Sequence, residues 1–179
     1  MRHEDGYFGE GVAATYDETT AHLFDPAVVE PAVDFLAALA GSERALELGS
    51  GTGRIALPLA QRGIEVHGIE LSRAMTARLH AKPDGARIPV TIGDFATAKA
   101  DGTFRVAYLV RNTIMNLTTQ AAQVACFRNV AAHLEPGGCF VIEVGVPAFS
   151  ACRPARRSRS STGAANTGGS TSTTSRTRG

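Results

Sequence analysis

The run Glu47-Leu48-Gly49-Ser50-Gly51-Thr52-Gly53-Arg54 carries the most specific chemistry in this chain. The acid stands one residue before the end of a short, otherwise apolar segment, Ala45 to Leu48, and three alternating glycines follow. Glycine tolerates positive φ and has no Cβ, so a backbone of this kind can approach a flat, nucleotide-like ligand closely. The apolar spacing of Ile55, Leu57, Leu59 and Ala60 predicts a helix next, whose first N–H groups lack intrahelical partners and suit polar or anionic ligand groups. Two further acids stand at comparable places: Glu70 ends the apolar segment 64–69, and Asp94 follows the segment 88–92. An acid one strand-helix-strand unit after a glycine turn can accept hydrogen bonds from both hydroxyls of a ribose. Asp94 has a second reading as the first residue of an Asx-turn.

The spacing separates two ligand classes. A dinucleotide fingerprint needs G-x-G-x-x-G or G-x-G-x-x-A, which Gly51, Gly53 and Ala56 satisfy, but Glu47 and Gly49 are then left without a role. Counted from Gly49, the third glycine position is occupied by Arg54. The pattern E-x-G-x-G-x-G uses every residue, and its carboxylate suits a cationic ligand, whereas beside a pyrophosphate it would repel.

The elements that must position these residues alternate along the chain. Residues 7–20 predict a first helix, and Asp25-Pro26 opens a second, carrying Val28, Val29, Val33, Phe35, Leu36 and Leu39 and stopping at Gly41. Pro31 falls inside it and points to a later start. Strands are predicted at 45–48, 64–69, 88–92, 104–110 and 139–144, with Pro89 placing the third at an edge. Ser72 caps a helix whose Met75 and Leu79 face inward, and Pro83-Asp84-Gly85 breaks it. His67, within the second strand, reads as structural. Thr118 or Thr119 caps another helix with Val124, Phe127, Val130, Ala131 and Leu134 on one face, and Pro136-Gly137-Gly138 turns the chain into 139–144, which reads as a strand buried on both faces. Strands alternating with helices imply an α/β, doubly wound, mostly parallel sheet, with the three acid-bearing segments meeting at the strands' carboxyl ends.

At 179 residues the chain has the length of one domain. It has no apolar run of membrane-spanning length and no signal-peptide core, so a soluble, cytoplasmic protein is expected. Cys126, Cys139 and Cys152 have no metal or redox spacing, and no metal is expected. The net charge of +1 conceals an asymmetry: from Ala151 onward there are six arginines and no acid, so the first 150 residues hold 12 basic against 17 acidic groups. An acidic body argues against a nucleic-acid partner.

The motif E-x-G-x-G-x-G resembles the first motif of the class I S-adenosylmethionine-dependent methyltransferases. The resemblance covers about four fifths of the chain and implies a Rossmann-like methyltransferase fold, with S-adenosyl-L-methionine as cofactor and a small-molecule methyl acceptor. It implies that Glu47, Gly49, Ser50, Gly51 and Gly53 line the methionine end of the cofactor, that Glu70 holds the ribose and that Leu71 flanks the adenine. Asp94 then accepts from the exocyclic amine, Phe95 lies beside the ring, and Tyr16 contacts the cofactor from a leading segment that closes over it. Asn112, at the tip of the fourth strand, falls under the transferring methyl, where it orients a nucleophile or else caps the turn 113–116. Most members of the family it resembles carry an acid where Arg105 stands and an apolar residue where Arg111 stands, so the chain departs from the pattern on the substrate side. The resemblance names no general base; His3, Tyr7, Arg111 and Asn112 are the candidates for acceptor contact. The two rivals are a nicotinamide-dependent oxidoreductase and a non-enzymatic remnant of a methyltransferase.

The expected organisation is an N-terminal pair of cap helices at 1–40, a cofactor-binding core at 41–147 and a tail at 148–179. Beyond Val146 the sequence is Ser, Thr, Gly and Arg with almost no apolar residue, which cannot bury enough surface to order itself. GC-rich coding DNA read out of frame yields this composition, and codons begun one nucleotide earlier give an ordinary enzyme-like continuation. Unambiguous nucleotide sequence around codons 147–150 decides between a frameshift and a native tail. In either case the last strands of the family fold are absent, and 139–144 is expected to be an open sheet edge prone to pairing.

Overall fold

The computed structural model describes residues 6–145, so His3 and the tail lie outside the described residues. A 3-10 turn at Gly6–Phe8 precedes α1 (Glu10–Thr19), in place of the single helix expected at 7–20. Next comes α2 (Pro26–Ala40), with Asp25 Oδ1 accepting from Ala27 N at 2.9 Å and Pro26 at the first helical position. Pro31 does not delay this helix, because it stands on the exposed face, where water can satisfy the carbonyl it leaves unpaired. The chain continues through β1 (Ala45–Leu48), α3 (Ala56–Gln61), β2 (Val66–Glu70), α4 (Arg73–His80) and β3 (Val90–Ile92). The last elements are β4 (Phe104–Leu109), a 3-10 turn at Thr113–Asn116, α5 (Gln120–His133) and β5 (Leu134–Ile142).

The strands form one parallel sheet in the order β3-β2-β1-β4-β5. This is the expected doubly wound α/β arrangement, with β3 at an edge. The order reverses between β1 and β4, which opens a crevice at their carboxyl ends. β1 is buried along its whole length, and its side chains alternate between two cores. Ala45 joins Val33 and Leu36 of α2, Leu59 of α3, Val106 and Tyr108. Leu46 and Leu48 join Phe104, Leu109 and the α5 residues Cys126 and Val130. Each such leucine removed from water contributes about 1.5–3 kcal/mol.

Two expectations about the C-terminal elements are corrected. Val124 and Phe127 are exposed, and the buried face of α5 carries Cys126, Asn129, Val130 and His133 instead. The two polar members are there because they serve the backbone of the segment after β3: Asn129 Nδ2 donates to the carbonyls of Phe95 and Ala98, and His133 Nε2 accepts from Ala100 N at 3.0 Å. β5 is half-buried, not covered on both faces, because it is the second edge of the sheet. Pro136-Gly137-Gly138 lies inside it as an irregularity: Phe104 pairs with Leu134 and Val106 with Cys139.

Ser72 joins the N-terminal segment to this scaffold. Its hydroxyl caps α4 by accepting from Met75 N at 3.0 Å and donates to the Phe8 carbonyl at 2.5 Å. Loss of such a cap costs about 1 kcal/mol, and the bond to Phe8 adds to it. Ser72→Ala is therefore expected to lower the thermal midpoint by about 3–6 °C, measured by circular dichroism.

Candidate functional site

The glycine turn leaves β1 with Gly49 at φ 73°, Gly51 at φ 54° and Gly53 at φ 84°, all in the region that side chains disfavour. The three glycines do different work. Gly49 and Gly51 line a cavity of about 450 Å³ at the carboxyl ends of the strands. Gly53 does not line that cavity; a Cβ there would lie 2.3 Å from Leu79 Cδ1 and 3.2 Å from Leu57, so its bareness lets the loop pack on α4 and α3. The helix that follows is only six residues long, and the N–H groups of Gly49, Gly51 and Gly53 are already bonded to Ile69 O, Glu70 Oε2 and Ser50 O. The loop therefore does not present the open row of donors that a pyrophosphate needs.

Glu70 ends β2 at the cavity wall and is 7% exposed. Its Oε2 accepts from Gly51 N at 2.7 Å and its Oε1 from Ser72 N at 2.9 Å. Two backbone donors thus fix the carboxylate at the cavity wall and stabilise its charge. Asp94 lines the cavity and also forms the Asx-turn, with Oδ1 accepting from Ala96 N at 2.8 Å. Leu71, Phe95, Tyr16 and Tyr7 complete the set of sequence-expected residues found at the cavity.

Besides Gly53, four expected residues lie off it. Strand alternation turns Glu47 to the α2–α3 face, level with Tyr108 on β4, where it is 2% exposed. Burial pushes its carboxyl up to about 8, opposed by the Arg54 guanidinium and the neighbouring Tyr108 phenol. Neither Tyr108 Oη nor Glu47 Oε2 completes a hydrogen bond of good geometry among the described residues. Burial is also the main cause that lowers the Arg54 pKa and raises that of Tyr108. Ser50 is buried against Gly68 of β2, where a Cβ would meet its Oγ at 2.6 Å. Asn112 is left-handed at φ 58°, and its Oδ1 accepts from Gly145 N, so its side chain neither caps the turn after it nor faces the cavity. Arg111, also left-handed, donates its N–H to Glu143 Oε2 at 3.1 Å and is exposed outside the cavity.

The sequence reading missed Phe8, Met75 and Thr113 as wall residues and the whole stretch 115–118. The aromatic pair Tyr7-Phe8 was the available signal; the 3-10 turn has no periodicity to read. His67 is structural, with Nε2 2.8 Å from Thr91 Oγ1.

Residues 45–138 match the family described as a methyltransferase domain. The chain belongs to that family. The methyltransferase domain is similar to a cypemycin N-terminal methyltransferase from Streptomyces sp, with 30% identity over 142 residues, 75% of this chain and 58% of the relative. Among solved structures it is similar to the CcbJ methyltransferase from Streptomyces caelestis, with a TM-score of 0.70 and 37% identity, covering 78% of this chain and 58% of that one. A glycopeptide N-methyltransferase, MtfA, complexed with S-adenosyl-L-methionine gives a TM-score of 0.56 and 29% identity, covering 63% of this chain and 48% of that one. The chain spans little more than half the length of the curated relatives it matches. No described helix is long and apolar enough to cross a membrane, and no cluster of described residues could hold a metal ion.

Proposed function

We propose that this chain binds S-adenosylmethionine and methylates an amine of a small molecule or peptide. The observation that carries the reading is the Glu70 carboxylate, clamped by Gly51 N–H and Ser72 N–H at the wall of the cavity, an acceptor fixed for two ribose hydroxyls. The residues present fit the cofactor: Gly49 and Gly51 leave no side chain in its way, Leu71 and Phe95 offer apolar flanks for a purine, and Asp94 offers an acceptor for an exocyclic amine. When bound, S-adenosylmethionine supplies a methyl group already activated by its sulfonium. The chain's part is to orient it and to exclude water.

An amine acceptor is favoured by two observations. One of the similar proteins is an N-methyltransferase by name and another an N-terminal methyltransferase, and a chain's N-terminus is an amine. Among the described residues, both lining carboxylates accept from backbone N–H groups, and the other titratable lining groups are the phenols of Tyr7 and Tyr16. An amine in its neutral form carries its own lone pair and needs no strong base held beside it. The same reading assigns 1–40 as the cap and 41–147 as the core, places the protein in the cytoplasm and expects no nucleic-acid partner.

S-Adenosylhomocysteine at a hundred times its dissociation constant is expected to add about 2.7 kcal/mol, a rise of about 5–10 °C in the thermal midpoint. NADH is expected to give no rise. A shift with NADH and none with S-adenosylhomocysteine would favour the oxidoreductase instead.

A further inference from the structure

Away from the cofactor cavity, three stretches distant in sequence converge on one ammonium group. Lys82, just beyond α4, donates from Nζ to Asp17 Oδ2 on α1 at 2.5 Å and to the Thr52 carbonyl in the glycine turn at 2.7 Å. Thr52 Oγ1 donates to the other oxygen of Asp17 at 2.5 Å, and the ammonium lies 5.0 Å from the centre of the Phe24 ring. The Lys82 and Asp17 side chains are 26% and 38% exposed. Lys82, Asp17 and Phe24 line a second cavity, separate from the first.

The sequence neighbours of these residues explain why the cluster matters. Tyr16 and Gly51, adjacent to Asp17 and Thr52, are walls of the first cavity. A cation bonded to both segments therefore fixes the distance between the N-terminal wall and the glycine wall from outside. We propose that Lys82 is a positioning residue, a latch that holds α1 closed on the glycine turn and thereby sets how long the cofactor is retained. The proposal rests on the cofactor reading above. An isolated exposed ion pair would be too weak for this role, but here one ammonium makes two charge-assisted hydrogen bonds and an aromatic contact. The remaining attachments, the Thr52–Asp17 hydrogen bond, the packing of Ala13 on Ala74 and Met75 and the bond of Ser72 to Phe8 in the turn before α1, keep the helix on the domain when the latch is cut. Cutting the latch then raises the frequency of opening without unfolding the core.

The test compares full-length wild type with Lys82→Met, Lys82→Arg and Asp17→Asn. Without ligand, Lys82→Met is expected to accelerate amide hydrogen exchange in α1 about tenfold while exchange in β1 and β4 stays unchanged. S-Adenosylhomocysteine is expected to dissociate about tenfold faster from Lys82→Met at an almost unchanged association rate. Lys82→Arg should recover most of both effects, and Asp17→Asn should reproduce them, with little further loss in the double variant. Unchanged exchange in α1, or unchanged retention of the ligand, overturns the latch. Equal acceleration in α1 and the core also overturns it, since the role would then be purely structural. If the wild type does not bind S-adenosylhomocysteine, the cofactor reading fails, and α1 exchange alone decides whether Lys82 closes the helix.

Discussion

Glu70→Gln is expected to weaken S-adenosylhomocysteine binding by about a hundredfold while leaving the protein folded. The carboxylate accepts from two backbone N–H groups on opposite sides, Gly51 and Ser72, and both bonds are charge-assisted. Glutamine has one carbonyl oxygen, so its NH₂ must face one of the two donors, which is left unpaired at a cost of about 1–3 kcal/mol. Gly51 lines the cavity, so a loop released there moves the wall as well as the acceptor meant for the ribose. The unpaired donor lowers stability with or without ligand, whereas the charge-assisted bonds to the two ribose hydroxyls are weakened by about 3 kcal/mol in all, or two factors of ten in affinity. Calorimetric titration measures it directly, with Glu70→Asp as a control whose shorter side chain cannot reach both donors. An affinity within threefold of wild type would remove Glu70 from the site.

The conformation of the turn and the position of Glu70 were readable from residue types because each follows from a local requirement. Alternating glycines signal a left-handed backbone, and all three have positive φ. An acid at the last residue of a parallel strand must stand at the carboxyl edge of the sheet, and Glu70 does. What could not be read depends on which face each residue presents. A four-residue strand buried on both sides shows no alternation, so nothing in the sequence distinguishes Glu47, turned to the α2–α3 face, from an acid facing the crevice. The apolar stripe read on α5 failed for a related reason. Asn129 and His133 occupy its inner face because the backbone at 95–100 needs partners there, a tertiary demand that hydropathy cannot register. Gly53 looks like its two neighbours in sequence, and only the position of Leu79 shows that it serves packing.

Glu47→Gln is expected to make the protein more stable at alkaline pH and to leave it almost unchanged in acid. Burial raises the Glu47 carboxyl from 4.5 to about 8 in the folded chain, while the unfolded chain keeps an ordinary value. Between these two values the folded state retains a proton that the unfolded state has released. Stability must therefore fall as pH rises through this window, by up to about 1.4 kcal/mol per pH unit. Below pH 4.5 both states are protonated, so the group contributes no slope. The attraction of Arg54 is already contained in that value of about 8, so the loss integrates to about 4–5 kcal/mol by pH 8.5. Glutamine keeps the shape without the ionisation, and its thermal midpoint should exceed wild type by about 9–18 °C at pH 8.5 and by less than about 4 °C at pH 5. Parallel pH profiles for the two proteins would show that Glu47 is ionised throughout. The same variant also separates the two acids that frame the glycine turn. A group that is mostly protonated at pH 7 and lies beneath the loop contributes little charge to the cavity. Cofactor affinity of Glu47→Gln at pH 7 should then stay within about threefold of wild type, against the hundredfold loss expected at Glu70.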